Sequence, residues 1–113
     1  MNKTPEVFVR HIIESVEYLE SHLKGYTKVN FRKDRKTYNA VVRELEIIGE
    51  ACSKLTTEFK NKFNDIPWRK IIGMRNKLSH EYWNIDVNIV WEAAKIKAPE
   101  LAKKLSMWLD KNK

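Results

Sequence analysis

Apolar residues in the middle of the chain recur at alternating spacings of three and four, and this pattern restricts the fold more than any other feature. The series is Tyr38, Val41, Leu45, Ile48, Cys52, Leu55 and Phe59. Such spacing places its members along one side of an α-helix, as a seam that another helix covers. The pattern therefore predicts one long helix, from Asp34 or Thr37 to about Lys60, within a helical bundle or coiled coil.

The segments on either side of this helix also have helical spacing. A stripe of apolar residues predicts a first helix: Phe8, Ile12, Val16, Leu19 and Leu23. This first helix is predicted to begin at Thr4 and to end at Gly25. A third helix is predicted to start at Asp65 to Pro67 and a fourth at Asp86, and Pro99 predicts a break or kink before the last helix. Residues 24–33 are predicted to form a basic loop. The expected fold is a single all-α domain, residues 1–113, built as a bundle of four to five helices.

Composition excludes several other classes of protein. With 42% hydrophobic residues, three glycines and three prolines, the chain is too apolar to be disordered and too poor in turn formers for a β-sandwich. No segment approaches the roughly 20 apolar residues of a membrane-spanning helix, and the polar residues after Met1 do not resemble a signal peptide. Cys52 is the single cysteine, so no internal disulfide can form and a cytoplasmic protein is expected, and its position in the apolar seam predicts an inert buried thiol. No metal or other cofactor is expected, since the sequence has no glycine-rich phosphate loop and no cysteine pair, and His11 and His22 would lie about 16 Å apart on one helix.

Two of the three glycines, Gly49 and Gly73, lie inside predicted helices, where glycine costs about 1 kcal/mol relative to alanine. A close approach between the second and third helices would compensate for this cost. It would also bring Glu46 or Glu50 towards the basic third helix, although pairing within their own helix is equally open. The alternative for the glycines is that one of them is simply tolerated.

The net charge of +7 is concentrated in two short segments. Residues 24–36 contain six basic residues and one acidic residue, and residues 69–77 contain four basic residues and no acidic one. Such segments favour an anionic partner, with nucleic acid first and an acidic protein second. A solvated surface or a flexible loop would have the same composition. The candidate RNA-binding residues are Lys33, Arg35, Arg69, Lys70 and Lys77.

Residues 73–82, Gly-Met-Arg-Asn-Lys-Leu-Ser-His-Glu-Tyr, concentrate side chains that can act on a phosphodiester. The imidazole of His80 can transfer protons near neutral pH, and the guanidinium of Arg75 can stabilise a negatively charged transition state. On a continuous helix Asn76 shares a face with His80, whereas Arg75 lies about 140° away. Arg75 and His80 therefore meet only if the helix ends near His80 or a second copy of the chain supplies the complement. A structural role at a helix end is the alternative.

Several blocks of sequence resemble the HepT-like family of HEPN-domain proteins. They are Arg43 to Ala51 (Arg-Glu-Leu-Glu-Ile-Ile-Gly-Glu-Ala), Ile66 to Trp68, Gly73 to Asn76, His80 to Tyr82, and Asp86. The resemblance covers most of the chain in order, and the combination of Arg-x-x-x-x-His with His-x-Tyr and the other blocks is specific. Members of this family are small helical ribonuclease toxins that are paired with a minimal nucleotidyltransferase antitoxin.

The resemblance implies a role for each residue of the motif. Arg75 would stabilise the transition-state phosphate, and His80 would act as general base or acid on the 2′-hydroxyl or the leaving oxygen. Asn76 would orient His80 or bind the phosphate. Family members are dimers in which two motif copies face one cleft, so we expect a two-fold homodimer. Tyr82 matches the tyrosine that the partner nucleotidyltransferase can AMPylate, although packing beside the motif helix is the alternative role.

Three functions are therefore open at the level of sequence. The first is a toxin that cuts RNA as a metal-independent endoribonuclease. The second is a non-catalytic binding partner and AMPylation substrate of a nucleotidyltransferase. The third is a helical interaction protein in which the motif is structural. No membrane partner is expected.

Overall fold

The computed structural model describes residues 4–112, and every regular element in this range is helical. The helices are α1 Pro5–Leu23, α2 Lys28–Lys33, α3 Arg35–Lys54, α4 Thr57–Lys60, α5 Trp68–His80, α6 Val87–Glu92 and α7 Ala98–Lys111. A 3₁₀ turn covers Tyr82–Asn84, and a π-helical segment, Ala93–Lys97, joins α6 to α7. No helix of the described part is long and apolar enough to cross a membrane. The prediction of an all-α fold is confirmed. The predicted number of four to five helices is too low, because residues 4–112 contain the additional short helices α2 and α4 and the α6 and α7 helices are joined by a π-helical segment.

Helix α3 lies at the centre and packs against α1 on one side and α5 on the other, while α7 lies along α1. Six of the seven seam residues are buried, and Tyr38 is half-buried. The seam is therefore covered by helices of the same chain and supplies no free surface for a second copy. Burial raises the pKa of the Cys52 thiol to about 12, so the predicted buried cysteine is confirmed.

The central helix is shorter than predicted, because α3 ends at Lys54 rather than near Lys60. Leu55 is extended, with φ −73° and ψ 142°, and the Thr56 side chain accepts the backbone N–H of Phe59 at 3.1 Å to start the short α4. Threonine competes for backbone groups in this way and caps helices well. Leu55 and Phe59 nevertheless stay buried, so the apolar spacing continues across a break in the helix.

The prediction of a basic loop over residues 24–33 is wrong, because residues 28–33 form α2. Thr27 caps this helix by accepting the backbone N–H of Asn30 at 3.2 Å. Phe31 anchors it, since its ring is fully buried between Tyr38 and Trp91, at centroid distances of 5.7 and 5.4 Å. A helix of six residues is too short to show an apolar period, so tertiary contact with one phenylalanine decides its structure.

The predicted helix starts are correct at Asp34 and Asp86, whose carboxylates accept backbone N–H groups of the helices they precede. Asp65 does not cap α5. Its carboxylate pairs with Lys104 of α7 at 2.8 Å, and this contact lowers its pKa. Pro99 has no backbone N–H to donate to the carbonyl four residues earlier. The predicted break there takes the form of the π-helical segment just before it, and the chain stays helical.

Candidate active site

Helix α5 carries the motif, and its position depends on both of its ends. At the start, the indole N–H of Trp68 donates to the backbone carbonyl of Lys60 at 3.1 Å. Near the other end, Leu78 is buried in the core and His80 is the last helical residue. The helix therefore ends at His80, which was one of the two conditions under which His80 could meet Arg75.

Gly49 allows α3 and α5 to approach closely at the position of Arg75. A Cβ atom added to Gly49 would lie 2.2 Å from the Cβ of Arg75 and 3.4 Å from the carbonyl oxygen of Ile71. No side chain larger than hydrogen fits there without moving α5. The predicted close approach is thus confirmed at Gly49. Gly73 has nothing within 4 Å of an added Cβ among the described residues, so no contact within this part of the chain compensates for it.

The Arg75 guanidinium is held by two acceptors. Its Nη2 lies 2.8 Å from Oε2 of Glu50, and its Nη1 donates to Oδ1 of Asn76 at 2.9 Å. Glu50 also lies 3.7 Å from Lys54, so it pairs both across the helices and along its own helix. The Arg75 side chain is 32% exposed, which keeps it within reach of a ligand. Asn76 thus contacts Arg75 in this structure.

A second contact repeats this arrangement one turn further along. The hydroxyl of Ser79 donates to Oε2 of Glu46 at 2.8 Å. Glu46 and Glu50 are four residues apart on α3, as are Arg75 and Ser79 on the antiparallel α5. The two pairs therefore fix the register of the helices. Ser79 was not predicted to be a site residue from the sequence. The sequence signal for it is the matching spacing of four residues between Glu46 and Glu50 on α3 and between Arg75 and Ser79 on α5.

Arg75 lines a cleft between α1, α3 and α5 with a volume of about 280 Å³, called the Arg75 cleft below. Its walls are Phe8, His11, Arg43, Glu46, Ile47, Glu50, Ala51, Lys54, Arg75 and Ser79. His11 is exposed on α1 and shares this cleft with Arg75. His80 is not among the lining residues. Since α5 is helical up to His80, the five residues between them place Arg75 and His80 about 140° apart, and the end of the helix does not bring them together within one chain.

His80 and the residues after it form an exposed corner of the molecule. His80 is exposed, and the Tyr82 and Trp83 side chains are 73% and 72% exposed. Their two rings contact each other edge to face, with centroids 5.4 Å apart. Large aromatic side chains are seldom this exposed on a monomer, so the corner is suited to contact with another molecule.

The basic residues predicted to bind RNA are dispersed over the surface. Arg69 and Lys77 are exposed on α5, Lys33 lies at the end of α2, and Arg35 begins α3. Lys70 lines a different, more apolar cavity of about 530 Å³ that is bounded by α3, α5, α6 and α7. None of these five residues lines the Arg75 cleft. Among residues 4–112, no three His, Cys, Asp or Glu side chains are grouped so that they could hold a metal ion.

Comparison with known protein families gives a match over residues 12–107, to the family described as "Ribonuclease HepT-like". The chain belongs to the HepT-like ribonuclease family. The matched range includes α3, α5 and the Arg75 cleft apart from Phe8 and His11. The resemblance inferred from sequence is confirmed.

Individual relatives of the chain agree with this assignment. A protein of Caldanaerobacter subterraneus named "Putative RNase" is 42% identical over 111 residues, covering 98% of this chain and 99% of its own length. A "Probable ribonuclease HepT" of Thermococcus cleftensis is 37% identical, covering 89% and 92%. A "Gamma-glutamylcyclotransferase and putative RNase" of Methanocaldococcus jannaschii is 38% identical, covering the whole of this chain and 52% of that protein. The comparison with solved structures gave no significant match. The family and these names support a ribonuclease.

Proposed function

We propose that this chain is the toxin of a toxin–antitoxin pair with a minimal nucleotidyltransferase, and that it cuts RNA without a metal ion through Arg75 and His80. Membership of the ribonuclease family supports RNA as the substrate class. The position of Arg75 is the observation that carries the choice of site. Its guanidinium is oriented by Glu50 and Asn76 beside a cleft, where it can reach a phosphate.

The proposed reaction is attack of the ribose 2′-oxygen on the adjacent phosphorus. His80 takes the 2′-hydroxyl proton while the new O–P bond forms, and the bond from phosphorus to the 5′-oxygen breaks. Arg75 stabilises the negative charge that builds up on the phosphate oxygens. The leaving 5′-oxygen receives a proton from an imidazolium or from water. The products are a 2′,3′-cyclic phosphate and a 5′-hydroxyl.

This chemistry requires Arg75 and His80 to meet, and we propose that a two-fold dimer brings them together. Five helical residues separate them by about 140°, so one chain does not present both to one phosphate. A second copy lying against α5 would supply the missing group. The exposed rings of Tyr82 and Trp83, which follow closely after His80, support this end of α5 as the contact.

Cleavage by purified, unmodified protein tests the proposal. Wild type is incubated with single-stranded RNA in EDTA beside Arg75→Ala and His80→Ala. We expect each substitution to lower the rate by about 10²-fold or more. Arg10→Ala and His22→Ala, which alter the same residue types on α1 outside the Arg75 cleft, should cut at the wild-type rate. Wild-type rates in Arg75→Ala or His80→Ala would contradict the assignment.

The stability of the same variants separates catalysis from a structural role of the motif. His80 is exposed, so His80→Ala should change the free energy of unfolding by no more than about 0.5 kcal/mol. A large loss of stability would indicate that the motif maintains the fold.

The second candidate function, a non-catalytic AMPylation substrate, is favoured by the exposure of Tyr82. An accessible hydroxyl beside the motif helix can enter the active site of another enzyme. Co-expression with a cognate nucleotidyltransferase should add the mass of one or more AMP groups, as measured by intact-protein mass spectrometry. Tyr82→Phe should remove this addition. Unmodified wild-type protein after co-expression would argue against this function.

A further inference from the structure

The Arg75 cleft contains more basic and aromatic side chains than the motif accounts for. We propose that it binds the single-stranded RNA next to the cut site, with Arg43 and Lys54 contacting flanking phosphates and the rings of Phe8 and His11 lying against a base. This inference rests on the proposed ribonuclease function and identifies the path of its substrate.

The cations of the cleft lie in a row. Arg43 and Lys54 lie on one face of α3 together with Glu50, the partner of Arg75, because these three residues are spaced by seven and four. Eleven residues of helix separate Arg43 from Lys54 by about 16 Å. Arg75 reaches the row from α5 at the position of Glu50. Three cations along a groove can follow the phosphates of a strand that runs parallel to α3.

Two of the three cations of the row, Arg43 and Lys54, are available to a ligand, whereas Arg75 is paired with Glu50. Arg43 is exposed and has no hydrogen bond or ion pair with any residue from 4 to 112. Lys54 is 58% exposed, and within the described range its one ion pair is the 3.7 Å contact with Glu50. Glu46 accepts from Ser79, and Glu50 pairs with Arg75. Three cations against two carboxylates give the lining a net charge of +1, which favours an anion.

The opposite wall of the cleft offers aromatic surface. Phe8 and His11 lie one turn apart on α1, with ring centroids 6.5 Å apart in an edge-to-face arrangement. Aromatic side chains beside a basic groove stack on unpaired bases, whereas the bases of a duplex are already stacked on one another. A single strand is thus the form of RNA that fits.

This path differs from the one formed by the dispersed basic residues of α2 and α5. Fluorescence anisotropy distinguishes the two paths. The probe is a short labelled RNA whose 2′-hydroxyls are methylated, so that it cannot be cut. We expect Arg43→Ala/Lys54→Ala to weaken binding about tenfold at low salt. The slope of log K against log salt should shrink by about 1.4, or 0.7 for each lost phosphate contact.

The matched control is Lys103→Ala/Lys111→Ala, which removes the same charge from exposed positions on α7 outside the cleft. It should leave the affinity within a factor of two. His11→Ala should weaken binding several-fold and His11→Phe should restore it, because a ring stacks without a charge. Wild-type affinity in the α3 double variant, with the loss appearing in Arg69→Ala/Lys70→Ala, would overturn the inference.

Failure of this inference can be told from failure of the proposed function. If the inference alone is wrong, Arg43→Ala/Lys54→Ala will bind and cut RNA like wild type. If the catalytic proposal alone is wrong, wild type will cut nothing while the double variant still loses affinity. No RNA binding by wild type would overturn the inference and leave the row of cations to an acidic protein.

Discussion

Replacing Gly49 with alanine tests whether the close approach of α3 and α5 positions Arg75. The added Cβ would lie 2.2 Å from the Cβ and 2.8 Å from the Cγ of Arg75. Non-bonded carbons in contact are about 3.5–4.0 Å apart, so the helices must separate by roughly 1 Å or more. Because a methyl group has no rotamer with which to avoid the contact, the backbone of α5 has to move.

The size of the effect follows from two opposing contributions. Alanine is favoured over glycine in a helix interior by about 1 kcal/mol. Forcing an extra carbon into a packed contact costs about 1–3 kcal/mol. Gly73→Ala is the matched control, because a Cβ there meets no described atom within 4 Å and only the helix preference acts. We therefore expect Gly49→Ala to be less stable than Gly73→Ala by about 1–3 kcal/mol.

Urea unfolding followed by far-UV circular dichroism gives both free energies by linear extrapolation. A dilution series separates any contribution of dimer contacts at Gly73, because only that contribution depends on concentration. Gly49→Ala should also cut RNA more slowly than Gly73→Ala, since Arg75 is displaced. Equal or greater stability of Gly49→Ala at every concentration would refute the reasoning.

Three further predictions concern single side chains. Glu50→Gln removes the carboxylate that competes with phosphate for Arg75, so the KM for RNA should fall about two- to fivefold, and a higher KM in steady-state kinetics would contradict this. The raised pKa of Cys52 and its burial predict that Ellman's reagent labels the thiol only in denaturant, whereas fast labelling of native protein would show an accessible thiol. A hydrogen bond from the Tyr26 hydroxyl, and further ones from the N–H and hydroxyl of Thr37, lower the pKa of Asp34 to about 2. The ionised carboxylate of Asp34 therefore stabilises the fold above about pH 4, and this stabilisation is lost as the pH falls through 2. The stability difference between wild type and Asp34→Asn, measured by urea unfolding at each pH, should shrink over that interval, and a difference that stays constant would count against the linkage.

Long apolar patterns and helix caps could be predicted from the sequence, because they depend on residues close together in the chain. The buried seam of α3 and the caps at Asp34 and Asp86 belong to this class. The short α2 and the break at Leu55 do not. The α2 helix depends on the contacts of one buried ring, Phe31, in the folded chain. The break depends on Thr56 capping a new turn within an apolar pattern that continues across it.

The candidate site shows the same division. The motif residues on α5 could be selected from their chemistry, and the approach of α3 was predictable from Gly49. His11 could not be placed beside Arg75 from the sequence, because 64 positions separate them and only the packing of α1 against α3 brings them to one cleft. The exposure of Trp83 was equally hidden, since tryptophan usually indicates a core position.

The chemistry of the RNA ends tests the central claim most directly. Purified, unmodified wild type is incubated with a short single-stranded RNA in excess EDTA, and the fragments are weighed by mass spectrometry. The account predicts fragments that end in a 2′,3′-cyclic phosphate beside fragments that begin with a 5′-hydroxyl, in a reaction that needs both Arg75 and His80. Cleavage that stops in EDTA, or fragments that carry a 5′-phosphate, would contradict it.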